Sequence, residues 1–229
     1  MKSRIFIIIC IFLGCQQAKA QSQSENNYSI GINLLSYGEV SKLLKEVRSA
    51  ESYKTARFNG FIAKFNDNQI SYRLIANRYF EKDYVFYNEC RECEYIKGKY
   101  TSYEIKIGFE KSIIYAKLQP FFGFDVGYKS ITFNGRATDL KTINTKGNYQ
   151  TEIQKKGSVL YPFIGLKYSP INHLTLSAES GFNVFLNFEN QIKRYDDADK
   201  TITNQYISQW EFLNQPLGIF SIQYNFGSN

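Results

Sequence analysis

From Ser102 to Phe109 the chain alternates without a break, with Tyr103, Ile105, Ile107 and Phe109 on one side and Ser102, Glu104, Lys106 and Gly108 on the other. Period two is the mark of a strand with one apolar and one polar face. The pattern returns over 113–128, where Ile114, Ala116, Leu118, Pro120, Phe122, Phe124, Val126 and Tyr128 share a side. It returns again over 172–188 (Leu174, Leu176, Ala178, Phe182, Val184, Leu186, Phe188) and in the final Phe220, Ile222, Tyr224 and Phe226. The pattern predicts eight strands, near 28–38, 55–66, 69–82, 99–110, 113–128, 157–168, 172–188 and 205–226, of which Arg57 to Lys64 alternates poorly.

The connections alternate as well. Asn66-Asp67-Asn68, Glu110-Lys111-Ser112 and Ser169-Pro170-Ile171 read as tight turns, and polar segments near 39–54, 83–98, 129–156 and 189–204 read as long loops. Short turns on one side and long loops on the other are the layout of an outer-membrane barrel. The expected fold is therefore all-β: one closed, eight-stranded, antiparallel up-and-down transmembrane β-barrel, which satisfies every backbone donor and acceptor in lipid.

A soluble barrel would show the same alternation with its apolar face turned inward. Three features favour lipid outside. The strands match or exceed a tilted bilayer crossing. Gly108, Gly123, Gly127 and Gly181 fall on the polar face, where a crowded lumen needs small residues. Aromatics (Tyr79, Phe80, Tyr84, Phe86, Tyr87, Tyr128, Phe188) gather near strand ends, as interfacial girdles do.

Residues 1–20 read as a cleaved signal peptide, with Lys2 and Arg4 before an apolar run from Ile5 to Gly14 and Ala18-Lys19-Ala20 as the cleavage signal. Leu13-Gly14-Cys15 offers a second reading, a lipidated Cys15. Residues 21–229 then form the barrel domain. Removing Lys2, Arg4 and Lys19 leaves 25 basic against 21 acidic residues, so the net charge falls from +7 to +4. So small and dispersed an excess argues against nucleic acid as a partner. Outer-membrane lipids are the expected surroundings, and a monomer the expected state.

Cys10 and Cys15 leave with the signal, and the remaining Cys90-Arg91-Glu92-Cys93 has no second cysteine pair with which to build a metal site. A local disulfide in an oxidising compartment is the expected state of Cys90 and Cys93. No cofactor or metal site is indicated.

Leu118-Gln119-Pro120-Phe121-Phe122-Gly123-Phe124-Asp125-Val126-Gly127-Tyr128, echoed by Leu160 to Tyr168, resembles a strand of the small OmpA/OmpX-like outer-membrane β-barrel proteins. The terminal Phe220–Phe226 alternation resembles that family's last strand, although Gly227-Ser228-Asn229 follow the final aromatic. The resemblance implies the fold and a place in the outer membrane of a Gram-negative bacterium, and little about activity.

Arg73, Glu104, Lys106, Lys117, Asp125, Lys167, Glu179 and Glu211 fall on the polar face. Eight strands leave room for side chains and no open pore, so these groups are expected to pair with one another and fill the lumen. His173, the lone histidine, lies beside a turn and reads as an interfacial residue rather than a catalytic base. Asp196-Asp197-Ala198-Asp199-Lys200 reads as a solvated loop tip rather than a cation site. Val40, Leu43, Leu44 and Val47 have helical spacing and predict a short amphipathic helix, lying in the head-group layer or capping the mouth. Arg136, Lys141, Lys146, Lys155 and Lys156 are the candidate loop contacts, for lipopolysaccharide or another extracellular ligand. The expected role is non-enzymatic, structural or surface-interacting. A narrow channel for small solutes and a soluble secreted barrel carrying an apolar ligand are the alternatives.

Overall fold

The computed structural model describes residues 27–48, 52–67, 69–114, 116–140, 148–196 and 202–227. The predicted signal peptide, Lys141, Lys146 and Asp197 to Lys200 lie outside them. The described residues form eight antiparallel strands closed into one ring: β1 (Tyr28–Glu39), β2 (Tyr53–Asp67), β3 (Ile70–Asn88), β4 (Glu94–Ser112), β5 (Leu118–Asp139), β6 (Tyr149–Ile171), β7 (Leu174–Tyr195) and β8 (Ile202–Phe226). Each strand pairs with its sequence neighbours, and β1 closes on β8 from Tyr28↔Phe226 to Tyr37↔Leu217. Both strand termini and the three short turns lie at one end of the barrel, the turn end; the other is the loop end.

The apolar face points out. Ile107 is 58% and Ile164 68% exposed, whereas Arg73 is 3% and Asp125 0% exposed. A water-soluble barrel would reverse these figures, so the exterior is a lipid-facing belt and the soluble alternative is excluded. On β5 the belt runs outward from Leu118 to Tyr128, about 34 Å along the strand and about 26 Å along the bilayer normal at a typical 40° tilt.

The strands continue past the belt, and there the pattern inverts. On β5 the outward positions become Ser130, Thr132 and Asn134, while Ile131 and Phe133 turn inward and are fully buried. On β4 the change falls between Tyr103 and Thr101, and on β6 between Leu160 and Ser158. On β4, β5 and β6 the loop-end third thus carries a polar exterior, and inside it lies a buried apolar cluster that includes Ile96, Ile131, Phe133 and Ile153, the sense of a barrel wall standing in water.

This inversion corrects the loop boundaries. Most of 83–98, 129–156 and 189–204, expected as loops, is strand, and only residues 89–93, 140–148 and 196–201 connect strands there. Tyr79, Tyr84 and Phe86 are lumenal rather than girdle residues, because a register shift between Glu81 and Tyr84 carries the latter two inward. Glu110, Lys111 and Ser112 belong to β4; the reversal follows at 113–117, which places Lys117 in an exposed turn rather than in the lumen.

The connection at 40–52 is long as expected but holds no helix among its described residues. Leu44 adopts a positive φ of 51°, which breaks any helical run, and Leu43 turns into the barrel and is fully buried. Burying Leu43 among the lumenal rings outweighs the weak local helical preference of so short a segment. Of the two placements, the segment caps the mouth.

Candidate functional site

The lumen is filled in three storeys. At the turn end Arg73 lies at the centre of three carboxylates, Asp125 (Nη2–Oδ2 2.6 Å), Glu179 (Nη1–Oε2 2.6 Å) and Glu110 (Nη1–Oε2 3.2 Å). Lys64 (2.7 Å) and Lys167 (2.6 Å) close on Glu110. Three cations meet three carboxylates, so the charge balances. The Arg73 guanidinium also lies 3.7 Å over the Phe163 ring. Large rings fit here because glycines oppose them: a Cβ on Gly123 would come within 2.3 Å of Phe163 Cζ, and one on Gly165 within 2.5 Å of Phe121 Cζ.

At the loop end Lys155 pairs with Glu189 (2.7 Å) and Glu211 (2.6 Å). The capping segment is tied to the same group: Ser41 Oγ donates to Glu211 Oε2 at 2.6 Å, and Lys155 Nζ donates to the Lys42 carbonyl. Beside this contact Leu43 packs into a buried cluster with Tyr84, Phe86, Ile96, Tyr100, Ile131, Phe133, Ile153 and Phe185. The Leu43 N–H donates to Glu46 Oε2 at 3.0 Å. Burial pushes the Glu46 carboxyl above its usual range, although the Leu43 N–H and the charges of Arg48, Lys155 and Lys42 pull it down.

The middle storey differs. Lys106 (2.7 Å) and Lys129 (3.3 Å) share a single carboxylate, Glu104. Beside them lies a cavity of ≈ 90 Å³, reaching from the Lys106, Lys129, Tyr161 and Asn183 side chains to Asn59, Asn77 and Arg78 in the β2–β3 wall. Tyr161 Oη and Asn183 Oδ1 are buried there with no hydrogen-bond partner among the described residues. Gly218 makes room for Tyr161, whose hydroxyl would lie 1.9 Å from a Cβ at that position.

Arg73, Glu104, Lys106, Asp125, Lys167, Glu179 and Glu211 thus all face the lumen, joined by Lys64, Glu110, Lys129, Lys155 and Glu189, which the sequence did not place there. Glu110 was missed because it read as a turn, and Lys129, Lys155 and Glu189 because they read as loop. Lys155, a candidate loop contact, is wholly buried instead. Lys156 points outward from β6, and Arg136 is exposed and paired with Asp196 at 2.5 Å. Cys90 and Cys93 are disulfide-bonded in the β3–β4 connection. His173 is exposed beside the β7 start, its Nδ1 3.1 Å from the Asn225 carbonyl. No cluster of three metal-ligating side chains occurs among the described residues.

An apolar belt around a lumen packed with paired charges defines an integral outer-membrane β-barrel, and that is the class of this protein. A major outer membrane protein from Thermus thermophilus shares the fold, with a TM-score of 0.53 at 10% identity over 87% of this chain and 99% of that one. Ail, the attachment invasion locus protein of Yersinia pestis, aligns at a TM-score of 0.40, with 11% identity over 90% of this chain and 100% of its own. The E. coli outer membrane protein W aligns at 0.40, with 10% identity and the same coverages. No protein-family model and no curated protein sequence matches the chain.

Proposed function

We propose that this barrel is a non-enzymatic structural or surface-interaction protein that conducts no solute along its axis and acts through its loop end. The carrying observation is the double seal of the lumen: the Arg73 cluster blocks the turn end, and Leu43 with the Lys155–Glu211 pair blocks the loop end. A channel would need both to open together, each at the cost of leaving buried charges unpaired.

Each strand pairs with both of its neighbours through the lipid-facing belt, so the belt offers no strand edge to another chain, which supports a monomer. Contact with lipopolysaccharide or another polyanion falls to the exposed Arg136 and Lys156 together with Lys141 and Lys146, and not to the buried Lys155. Planar-bilayer recording tests the seal. The native protein is expected to be silent, and a steady conductance would overturn this reading in favour of a narrow channel. Neutralising Arg136, Lys141, Lys146 and Lys156 is expected to weaken lipopolysaccharide binding, and unchanged binding would remove that partner.

A further inference from the structure

The wall of the barrel is incomplete at one seam. The β2–β3 ladder runs from Asp67↔Ile70 to Gly60↔Asn77 and stops, while β3 stays paired with β4 up to Asn88↔Glu94. Beyond Gly60, β2 bulges against β1, where Asn33 opposite Gly60 gives way to Leu35 opposite Arg57. Phe58 takes a positive φ of 47° there, a costly conformation for an aromatic residue. Further along the seam Lys54 Nζ on β2 reaches Glu81 Oε1 on β3 at 3.2 Å. The result is a slot with the Gly60–Asn77 pair as its sill and the Lys54–Glu81 ion pair as its lintel.

The slot has a defined height. Each strand's belt ends where its outward residues turn polar, at Tyr128 on β5 and Tyr103 on β4. On β3 the outward residues turn polar at Arg78, which pairs with Tyr103, and Phe80, paired with Thr101, stands one step above that rim. The slot therefore opens at the rim of the belt, flanked by Phe58 (75% exposed) and Phe80. This is the one depth at which unpaired backbone and a lipid-borne head group can coexist. Arg78 lies at the same height, with its guanidinium 5.4 Å from the Tyr103 ring centre.

Behind the slot lies the middle-storey cavity. The turn-end storey balances three cations with three carboxylates, and the loop-end storey gives Lys155 two carboxylates. In the middle storey two lysines share Glu104, so its ion pairs carry a surplus positive charge. That surplus faces the unpartnered Tyr161 hydroxyl, and Lys106 Nζ lies 4.0 Å from the Tyr161 ring centre. A buried uncompensated cation and a buried unpartnered hydroxyl are both costly, and one oxyanion resolves both.

We propose that the β2–β3 slot admits the ionised carboxylate of a single-chain amphiphile from the lipid, and that Lys106, Lys129 and the Tyr161 hydroxyl bind that carboxylate while the chain lies outside between Phe58 and Phe80. A volume of ≈ 90 Å³ holds a carboxylate with its first methylenes but not a whole chain, so the tail stays in the membrane. The axial seals remain shut, and the site is independent of the surface role proposed above.

The test uses the full-length protein in phosphatidylcholine vesicles, with laurate labelled by carbon-13 at its carboxyl and protein-free vesicles as the reference. A distinct bound carboxyl resonance is expected with the native protein. Lys129→Gln should weaken binding at least tenfold and Tyr161→Phe severalfold, while Lys117→Gln in the exposed turn at the other end should leave it unchanged. Acetate, which carries the same head without the tail, should compete only weakly. No bound resonance with the native protein, or equal binding by native, Lys129→Gln and Tyr161→Phe, overturns the site. Acetate binding as tightly as laurate overturns entry from the lipid, since the head would then arrive from water. Folding is checked by the gel shift on boiling, and if Lys129→Gln does not fold, Tyr161→Phe decides alone. A silent bilayer recording together with failed laurate binding would leave the sealed-barrel reading intact and remove only this site.

Discussion

Arg73 on β3 reaches across the lumen to Glu179 on β7, with Nη1 2.6 Å from Oε2 and Nη2 3.1 Å from Oε1. The strands that carry them are on opposite sides of the ring, so this bidentate pair is a cross-brace rather than a neighbour contact. Arg73 also holds Asp125 through two bonds, Nε–Oδ1 at 2.8 Å and Nη2–Oδ2 at 2.6 Å. Planar forked geometry of this kind is what arginine supplies and lysine does not.

Arg73→Ala is therefore expected to leave Asp125 and Glu179 buried without their cation and to cost about 3–5 kcal/mol. Urea unfolding in detergent or lipid micelles measures it. Arg73→Lys should recover only part of the loss, and the triple change Arg73→Met, Asp125→Asn, Glu179→Gln should be milder than Arg73→Ala. A full rescue by lysine would show that the fork geometry does not matter.

Glycine placement gives a second test. Gly123 sits where a Cβ would approach Phe163 Cζ and the Phe109 carbonyl oxygen, both to 2.3 Å. Gly123→Ala should cost about 1–3 kcal/mol through overpacking. Ile107→Lys on the belt should cost about 2–4 kcal/mol through exposing charge to lipid. If Gly123→Ala proved neutral, the ring packing at the turn end would be looser than described.

How far could the chain be read before its structure was known? The strand count, the closure and the lipid-facing side were legible because the belt keeps one strict alternation, as in Tyr103 to Phe109. The loop-end third was not, because its alternation changes sense. Ile131 and Phe133 occupy the inward parity that Asp125 and Gly127 hold lower down, so a reader following one face meets polar residues and infers a loop. The cross-lumen partnerships were also beyond reach. Lys155, read as a surface contact, has its inward position fixed only by the parity of a strand that was not seen. The β2–β3 slot left a trace in the poor alternation of Arg57 to Lys64, which is where β2 bulges.

The capping segment should respond to pH. Burial raises the Glu46 carboxyl, so the seated segment takes up a proton more readily than the released one. Its seating is then strongest below the ordinary carboxylate range and weakens as the pH rises through the raised value. Amide-exchange protection at Leu43 should be greater at about pH 4 than at about pH 8, and Glu46→Gln should remove most of that difference. Protection that falls on acidification would contradict the assignment.

The direction in which the strand faces point, and the height at which that sense reverses, decide what surrounds every residue of the barrel. Spin labels at single cysteines replacing Ile107, Thr132 and Lys106 test both, by comparing relaxation from lipid-soluble oxygen with that from a water-soluble nickel chelate. The label at 107 is expected to respond to oxygen, the label at 132 to nickel, and the label at 106 weakly to both. A label at 107 that meets nickel, or one at 132 that meets oxygen, would contradict both the lipid-facing belt and the water-standing third above it.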